Sequence, residues 1–169
     1  GTLHHMQDPL AGLKVLVDIL EPHGYLKLGL YSETARQHVV KAREFIKQQN
    51  FKNTTEDIKN FRQDVINKKE DLLMEMLTIS RDFYSTSTVR DLLFHVQEHR
   101  FTIPQISKIL QDFNLEFLGF TFSNKNIKNK FSKTFPDDKK NTSLDNWHQF
   151  ETDNPNTFEA MYQFWVKKV

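Results

Sequence analysis

The chain has 169 residues but no cysteine, no long hydrophobic run and no marked excess of charge of either sign. The lack of cysteine excludes disulfides, thiolate nucleophiles and cysteine-ligated zinc, and it fits a reducing compartment, so we expect a cytoplasmic protein. No apolar stretch approaches the roughly 20 residues that a membrane-spanning helix needs. With 23 basic and 22 acidic residues, no global field favours a polyanion. We therefore expect neither nucleic acid nor a membrane as a partner.

Glycine is scarce as well, and its spacing excludes a class of site. The five glycines, at positions 1, 12, 24, 29 and 119, include no pair at G-x-G spacing. Such a pair lets the backbone approach a phosphate or a cofactor at a tight turn between a strand and a helix. The chain therefore contains neither a phosphate-binding loop nor the fingerprint of a dinucleotide-type fold.

The residues that are present predict a folded domain with helices and a few strands. Hydrophobic residues make up 38% of the chain and 15 residues are Phe, which is enough apolar material for a core. Alternating apolar residues predict a strand over 25–31, and two further strands are predicted over 115–122 and 162–168. The stretch 115–122 is apolar on both faces, which indicates a strand covered on both sides. Trp147 and Trp165 stand among Phe residues and are expected in the core.

Helix signals stand between the predicted strands. Asp8-Pro9 combines a good N-cap with a good first helical residue. Thr102-Ile-Pro-Gln105 has the pattern of a capping box with Pro in the first turn. Ser87 can cap a further helix, which we expect to run from Thr88 to His99.

Three stretches together resemble a known enzyme family. The first stretch begins with Leu3-His-His-Met-x-Asp8-Pro9 and continues with Pro22-x-Gly24 and the strand that ends at Ser32. It resembles the segment from the end of the fourth strand to the fifth strand of class I S-adenosylmethionine-dependent methyltransferases. The run Arg90-Asp-Leu-Leu-Phe-His-Val-Gln-Glu-His-Arg-Phe-Thr102, together with Asp82–Ser85, is similar to one bacterial subgroup that is sometimes fused to tetratricopeptide repeats. Met161–Lys167 is similar to the closing strand of that subgroup.

This resemblance implies an α/β fold, the C-terminal part of a Rossmann-like methyltransferase sheet. The three strands would lie over about 25–31, 115–122 and 162–168, with the last one antiparallel, and residues 1–169 would form a single partial methyltransferase domain. A large helical insertion over 50–114 would cover the active site. The implied cofactor is S-adenosylmethionine. Because the Gly-rich motif is missing, we expect weak or no cofactor binding by this chain alone, and an inactive isolated chain.

The resemblance also implies a set of residues in one pocket. Methyl transfer needs an acceptor relieved of its proton, so His or a buried Glu can serve as base, while Tyr or Arg can orient the acceptor. Leu3 and His4 would contact the cofactor. The catalytic candidates are His5, His95 and Glu98, and the candidates for binding the methyl acceptor, whose identity is unknown, are Tyr31, Tyr84, Arg90 and His99. No metal ion is needed for this chemistry.

Two other interpretations stay open. His95-Val-Gln-Glu98-His99 matches the H-x-x-E-H pattern of zinc hydrolases, provided that it is helical and that a third ligand exists. Alternatively, the chain is a non-catalytic module or a remnant that pairs with a partner. An incomplete sheet exposes a strand edge, here the edge of 25–31, which favours self-association or pairing with an N-terminal half of the enzyme.

Overall fold

A computed structural model describes residues 1–67, 71–94 and 97–169. The chain forms two compact units, one of Gly1–Ala35 with Glu98–Val169 and one of Arg36–Gln97. The helical unit therefore begins and ends earlier than the insertion of 50–114 expected from the sequence. That an insertion covers an active site, and that residues 1–169 form a single partial methyltransferase domain, stay predictions.

Helices and short strands alternate along the chain. The described α-helices are α1 (Pro9–Ile19), α2 (Gln37–Gln48), α3 (Thr55–Asn67), α4 (Leu72–Ile79), α5 (Thr86–Val89), α6 (Ile103–Asp112), α7 (Lys125–Thr134) and α8 (Leu144–Asp153). The described strands are β1 (Tyr25–Ser32), β2 (Arg100–Phe101), β3 (Leu115–Phe120) and β4 (Met161–Lys168). This is a mixed α/β fold, as the sequence predicts.

One sheet organises the first unit. Within the described residues it has four strands in the order β2-β1-β4-β3. β1 pairs in parallel with β2, and β4 lies antiparallel between β1 and β3. The count of three strands is not confirmed, because β2 also belongs to the sheet; a strand of two residues is too short to show any alternation in the sequence.

Among the described residues of β4, one face is buried and the other is largely exposed. In β4 the buried residues Tyr162, Phe164 and Val166 alternate with the more exposed Gln163 and Trp165. Side chains of a strand point alternately to the two faces, so this pattern means that only one face packs on a core. In β3, Glu116 and Leu118 are exposed, which shows that the expectation of a strand covered on both sides is wrong. Strand β3 also contains a β-bulge between Phe117 and Gly119, which the sequence does not reveal.

The core beneath the sheet is aromatic. Trp147 of α8 is fully buried and stacks on Phe131 of α7, with ring centroids 3.6 Å apart and planes 13° from parallel. Its indole N–H donates to the carbonyl oxygen of Asn141 at 2.9 Å, so burial leaves no donor unsatisfied. Trp147 is thus a core residue as expected. Trp165 is not, because its position in β4 faces outward and leaves it 44% exposed.

The predicted caps hold the helices that flank this core. Asp8 accepts hydrogen bonds from the backbone N–H groups of Leu10 and Ala11 and so begins α1. Thr102 and Gln105 form the expected capping box at the start of α6. Both caps fix where a helix meets the sheet, which is why the sequence predicts these boundaries well.

The second unit is helical and has its own core. Its buried residues come from α2 to α5 and the turns between them: Val39, Ala42, Phe45, Ile46, Ile58, Phe61, Val65, Met74, Leu77, Phe83, Val89 and Leu93. The helix expected from Thr88 to His99 is not formed as predicted. α5 ends at Val89, a π-helical turn covers Arg90–Phe94, and Gln97–His99 lie outside any helix. Across the described ranges, no helix has the length and apolar character needed to cross a membrane.

Candidate functional site

Three aromatic rings meet near the carboxyl end of β1. The ring of His4 lies 3.8 Å from the ring of Tyr31, and the ring of His5 lies 4.5 Å from His4 and 5.4 Å from Tyr31. A 3-10 turn over Leu3–His5 presents the two imidazoles, and β1 presents Tyr31. Ligands of open α/β sheets bind at the carboxyl ends of strands. This aromatic cluster, His4, His5 and Tyr31, therefore marks the candidate site.

His4 is the fixed member of the aromatic cluster. Its side chain is 1% exposed, and its Nδ1 lies 3.2 Å from the carbonyl oxygen of Gly29. A carbonyl can only accept, so Nδ1 carries the proton and Nε2 keeps its lone pair. Burial, reinforced by the neighbouring His5, lowers the pKa of His4 from 6.5 to about 4. His4 is therefore a neutral imidazole of defined tautomer at neutral pH.

His5 differs from His4 because it is exposed to solvent. It lies edge-on to Tyr31, with the two ring planes at 90°. A group that exchanges a proton with a bound molecule has to be reachable, and in the aromatic cluster His5 meets that condition better than His4. The cluster thus combines a buried, oriented imidazole with an accessible one.

A charged network lies beside the aromatic cluster. The side chain of Glu98 is 2% exposed, and its carboxylate faces Arg100 with an oxygen–nitrogen distance of 3.8 Å. Arg100 also donates from Nε to Glu33 at 2.9 Å. The negative charge of Glu98 acts to raise the pKa of His4, against the larger effect of burial. Arg100 therefore supplies positive charge to two carboxylates at the point where β1 and β2 pair.

The backbone ties the two segments of the site together. The N–H of His99 donates to the carbonyl oxygen of His4 at 2.8 Å, and the N–H of Glu33 donates to that of Phe101 at 2.9 Å. Segments that are far apart in the sequence, residues 3–5 and residues 98–101, are thus held side by side. The sequence names these residues as one pocket, but it does not reveal the hydrogen bonds that join them.

Four further residues predicted for the site are Leu3, Tyr84, Arg90 and His95. Leu3 belongs to the apolar core of the sheet unit. Tyr84 is 62% exposed in the helical unit, where Arg90 donates from Nε to the Asn53 side chain at 2.6 Å. His95 lies outside the described residues. The assignments of all these residues to a site stay predictions.

A cleft that the sequence does not predict adjoins the aromatic cluster. It holds about 600 Å³, open solvent included, between the loop after β3 and the loop before β4. Its polar lining residues are Thr121, Ser123, Asn124, Thr157, Glu159 and Gln163. Met161 joins the cleft to the aromatic cluster, since it lines the cleft and is the register partner of Tyr31. No motif marks these residues, because loops far apart in sequence bring them together.

The helical geometry that the zinc pattern requires is absent at two of its residues. Glu98 and His99 lie outside a helix, and His95 is not among the described residues. Within the described ranges, no group of three or more His, Asp or Glu side chains could hold a metal ion. The zinc interpretation stays an untested prediction, and the helix that it requires is not formed at Glu98 and His99.

Comparison with known proteins identifies a fold. No protein family and no curated protein matches the sequence. The structure is similar to that of PKMT2 from Rickettsia typhi, a protein lysine methyltransferase, with a TM-score of 0.68 and 14% sequence identity. The match covers 98% of this chain but 33% of PKMT2, so the chain spans about a third of the length of that protein. The chain has a methyltransferase-like α/β fold.

Proposed function

We propose that this chain is the C-terminal, substrate-side portion of an S-adenosylmethionine-dependent methyltransferase. One observation carries the proposal: almost the whole chain superposes on a third of a methyltransferase, and four of the residues predicted for the site, His4, His5, Tyr31 and Glu98, lie near the carboxyl end of β1. The proposal also includes membership of the bacterial subgroup that is sometimes fused to tetratricopeptide repeats. It further includes a location in the cytoplasm.

The cofactor does not fit the residues of this chain by themselves. Of its five glycines, Gly119 alone has open space where a Cβ would stand, and it sits in the bulge of β3 rather than in a turn between a strand and a helix. At Gly24 and Gly12, a Cβ would lie closer than 3.0 Å to neighbouring atoms. A backbone cradle for the cofactor is therefore missing here, and a separate Gly-rich segment has to supply it.

The residues of the site are suited to the acceptor side of the reaction. An acceptor amine or hydroxyl loses a proton when it is methylated, and the exposed His5 is the group best positioned to take that proton. The His5 ring packs beside both His4 and Tyr31, and Glu98 supplies negative charge close by. The likeness to PKMT2 favours a protein amine as acceptor, for which the adjoining cleft offers one carboxylate, Glu159, among neutral polar groups.

Titration calorimetry with S-adenosylhomocysteine tests this proposal. The isolated chain should give no saturable heat, and binding should appear when a Gly-rich N-terminal methyltransferase segment is added. Methyl transfer from labelled S-adenosylmethionine should follow the same pattern and should be lost in His5→Gln. Tight binding by the isolated chain would contradict the inference that the cofactor cradle is missing. No binding in the presence of the Gly-rich segment would contradict the proposal itself.

A second candidate function is a non-catalytic interaction module. It is favoured by the open face of the sheet, on which Tyr25 and Trp165 are 61% and 44% exposed. In the described part of the chain no strand pairs with the outer edge of β1 before Tyr31, and such an edge can accept a strand from a second copy or a partner. Concentration-dependent light scattering distinguishes self-association from the methyltransferase proposal, since a split enzyme needs its other segment rather than a second copy.

A further inference from the structure

A groove between helices α7 and α8 continues from the cleft beside the aromatic cluster. It holds about 560 Å³, open solvent included. The residues that line this α7–α8 groove include Ile127, Lys130, Phe150, Asn154, Asn156 and Thr157. Ile127 and Thr157 also line the cleft. The groove and the cleft are therefore neighbouring parts of one surface, which leads from Met161, the register partner of Tyr31, to Lys130.

Lys130 is the charged group of the α7–α8 groove, and two contacts hold it in place. Its Nζ donates to the side-chain oxygen of Asn154 and lies 5.8 Å from the centre of the Phe150 ring. Neither contact neutralises the ammonium group, because an amide oxygen and an aromatic ring carry no full charge. An ammonium group has three donors, so Lys130 keeps donors for a bound carboxylate.

Further lysines surround Lys130. Residues 125–140 hold six lysines but only two acidic residues, Asp137 and Asp138. The lysines of this stretch with described side chains are all exposed: Lys128, Lys130, Lys133, Lys139 and Lys140. Among the described residues, no ion pair engages any of these five. Asp138 instead accepts the backbone N–H groups of Thr142 and Ser143 at 3.1 and 3.0 Å. The stretch is therefore basic and lacks internal pairing.

The groove side of α7 is polar and carries no exposed ring. Asn126, Lys130 and Lys133 stand at i, i+4 and i+7 of the helix, so they share the face that borders the groove. Phe131, the one aromatic residue of α7, is fully buried, and Phe150 is 2% exposed. A nucleobase therefore finds no ring to stack on here, and α7 has no free apolar face to insert into a membrane.

The two ends of the surface carry opposite charges. Glu159 lines the cleft, whereas Lys130 lines the α7–α8 groove. A further exposed acid, Asp153, directly precedes the groove residue Asn154. A continuous polyanion would meet these carboxylates as well as the lysines, and like charges placed together are unfavourable. A polypeptide segment carries separate charges of both signs, so it can match both ends.

We propose that the α7–α8 groove binds an extended, acidic segment of a partner polypeptide, with a carboxylate of the segment on Lys130. The side-chain amides of Asn154 and Asn156 offer both donors and acceptors, which suits the backbone of an extended chain. The segment continues into the cleft, where an amine side chain meets Glu159. That this partner is the methyl acceptor rests on the proposed function, whereas the docking itself does not.

Amide NMR of the isotope-labelled chain, titrated with a short synthetic peptide, tests the docking site. The peptide carries a central lysine flanked by glutamates, and its neutral counterpart has glutamine in place of each glutamate. The acidic peptide should give saturable shifts at residues 127–133 and 154–157, with a dissociation constant that rises with salt concentration. The neutral counterpart should bind at least about fivefold more weakly, as expected for the loss of an exposed ion pair.

Charge variants locate the contact. Lys130→Gln should weaken binding of the acidic peptide about threefold to fivefold, whereas Lys130→Arg should keep it. Asn156→Asp, which adds a carboxylate to the groove, should weaken binding without removing a lysine. The matched control is Lys59→Gln on α3, an exposed lysine of the helical unit, which should bind as wild type. The spectrum of each variant without peptide shows whether it is folded.

The same titration identifies the partner class. A single-stranded oligonucleotide and phosphatidylserine vesicles should each perturb the groove amides less than the acidic peptide does. Equal binding of the two peptides, shifts outside the groove and cleft, or stronger binding of the oligonucleotide or the vesicles would overturn the proposal. So would a Lys130→Gln variant that binds as wild type. No cofactor is present in these titrations, so failure of the docking site and failure of the methyltransferase proposal are distinguishable.

Discussion

A hydrogen bond joins His4 to Gly29 and places the outer edge of β1 next to the candidate site. The Nδ1–H of the buried imidazole donates to the carbonyl oxygen of Gly29 at 3.2 Å. In β1, even-numbered residues pair with β4, as the bond from the N–H of Ser32 to the carbonyl of Ala160 shows. Pairing groups alternate along a strand, so Gly29 points to the outer edge, and His4 satisfies it there.

We predict that His4 makes folding stability fall at acidic pH. Its pKa of about 4 lies below the ordinary 6.5, so the unfolded state binds the proton more readily over that interval. The contribution is therefore complete above pH 6.5 and is lost as pH falls towards 4, on the order of 3 kcal/mol in total. Denaturant titrations at about pH 7 and pH 4.5 should show this loss.

The variant His4→Gln should reduce that dependence on pH while lowering stability at neutral pH. His23→Asn is the matched control, because His23 is an exposed histidine with positive φ, a conformation that Asn tolerates. An equal fall in stability at low pH in wild type and His4→Gln would show that His4 is not the responsible group. Burial raises the pKa of Glu151, which is the opposite direction to His4, so measurements in a Glu151→Gln background separate the two effects.

A second prediction concerns Arg100 and the buried carboxylate of Glu98. Arg100→Met removes the cation that faces Glu98 and Glu33 and leaves a carboxylate with a 2% exposed side chain in a more costly environment. We expect a loss of about 2 kcal/mol, between that of an exposed pair and that of a fully buried one. Denaturant unfolding at neutral pH measures it.

Lys14→Met provides the control for Arg100→Met. Lys14 pairs with Asp18 one helical turn away, and both side chains are more than half exposed, so its removal should cost less than about 0.5 kcal/mol. If Arg100→Met were as mild as Lys14→Met, the charged network would have no structural role at the site. Glu98→Gln should restore part of the stability that Arg100→Met loses.

A third prediction uses the two tryptophans as reporters of the two sides of the sheet. Trp147 is fully buried and Trp165 is 44% exposed, so acrylamide should readily quench the fluorescence of Trp165 but not that of Trp147. Trp165→Phe should leave a blue-shifted and poorly quenched spectrum. Protection of Trp165 on addition of a partner would place that partner on the open face. Ready quenching in Trp165→Phe would contradict the buried position of Trp147.

Much of the fold could be predicted because local signals and tertiary structure agree. Asp8 and Thr102 cap helices where their sequence patterns indicate, and the alternation of Leu26, Leu28 and Leu30 marks β1. The expectation for Trp165 failed because composition does not show which face of a strand is covered; that depends on the layers packed against the sheet. The helix expected over 88–99 is interrupted by a π-helical turn over Arg90–Phe94, which the apolar spacing of the sequence does not reveal.

The candidate site could be predicted in part. Its members His4, His5, Tyr31 and Glu98 follow from a resemblance, and the structure brings them together. The cleft residues Thr121 and Glu159 were not found, because contacts between distant loops leave no periodic signal in a single sequence. Glu151 of α8, which is 3% exposed and accepts from the hydroxyls of Ser32 and Tyr162, was missed as a buried acid for the same reason, since these partners come from two separate strands.

The most direct test of the central claim is the heat of S-adenosylhomocysteine binding, measured by calorimetry first with the isolated chain and then with the Gly-rich segment supplied. If a separate segment holds the cofactor and this chain binds the methyl acceptor, we expect no saturable binding by the chain alone. We expect clear binding once the second segment is present. Saturable binding by the isolated chain, lost in His4→Gln and kept in His23→Asn, would contradict it, because the cofactor would then be held without the glycine cradle.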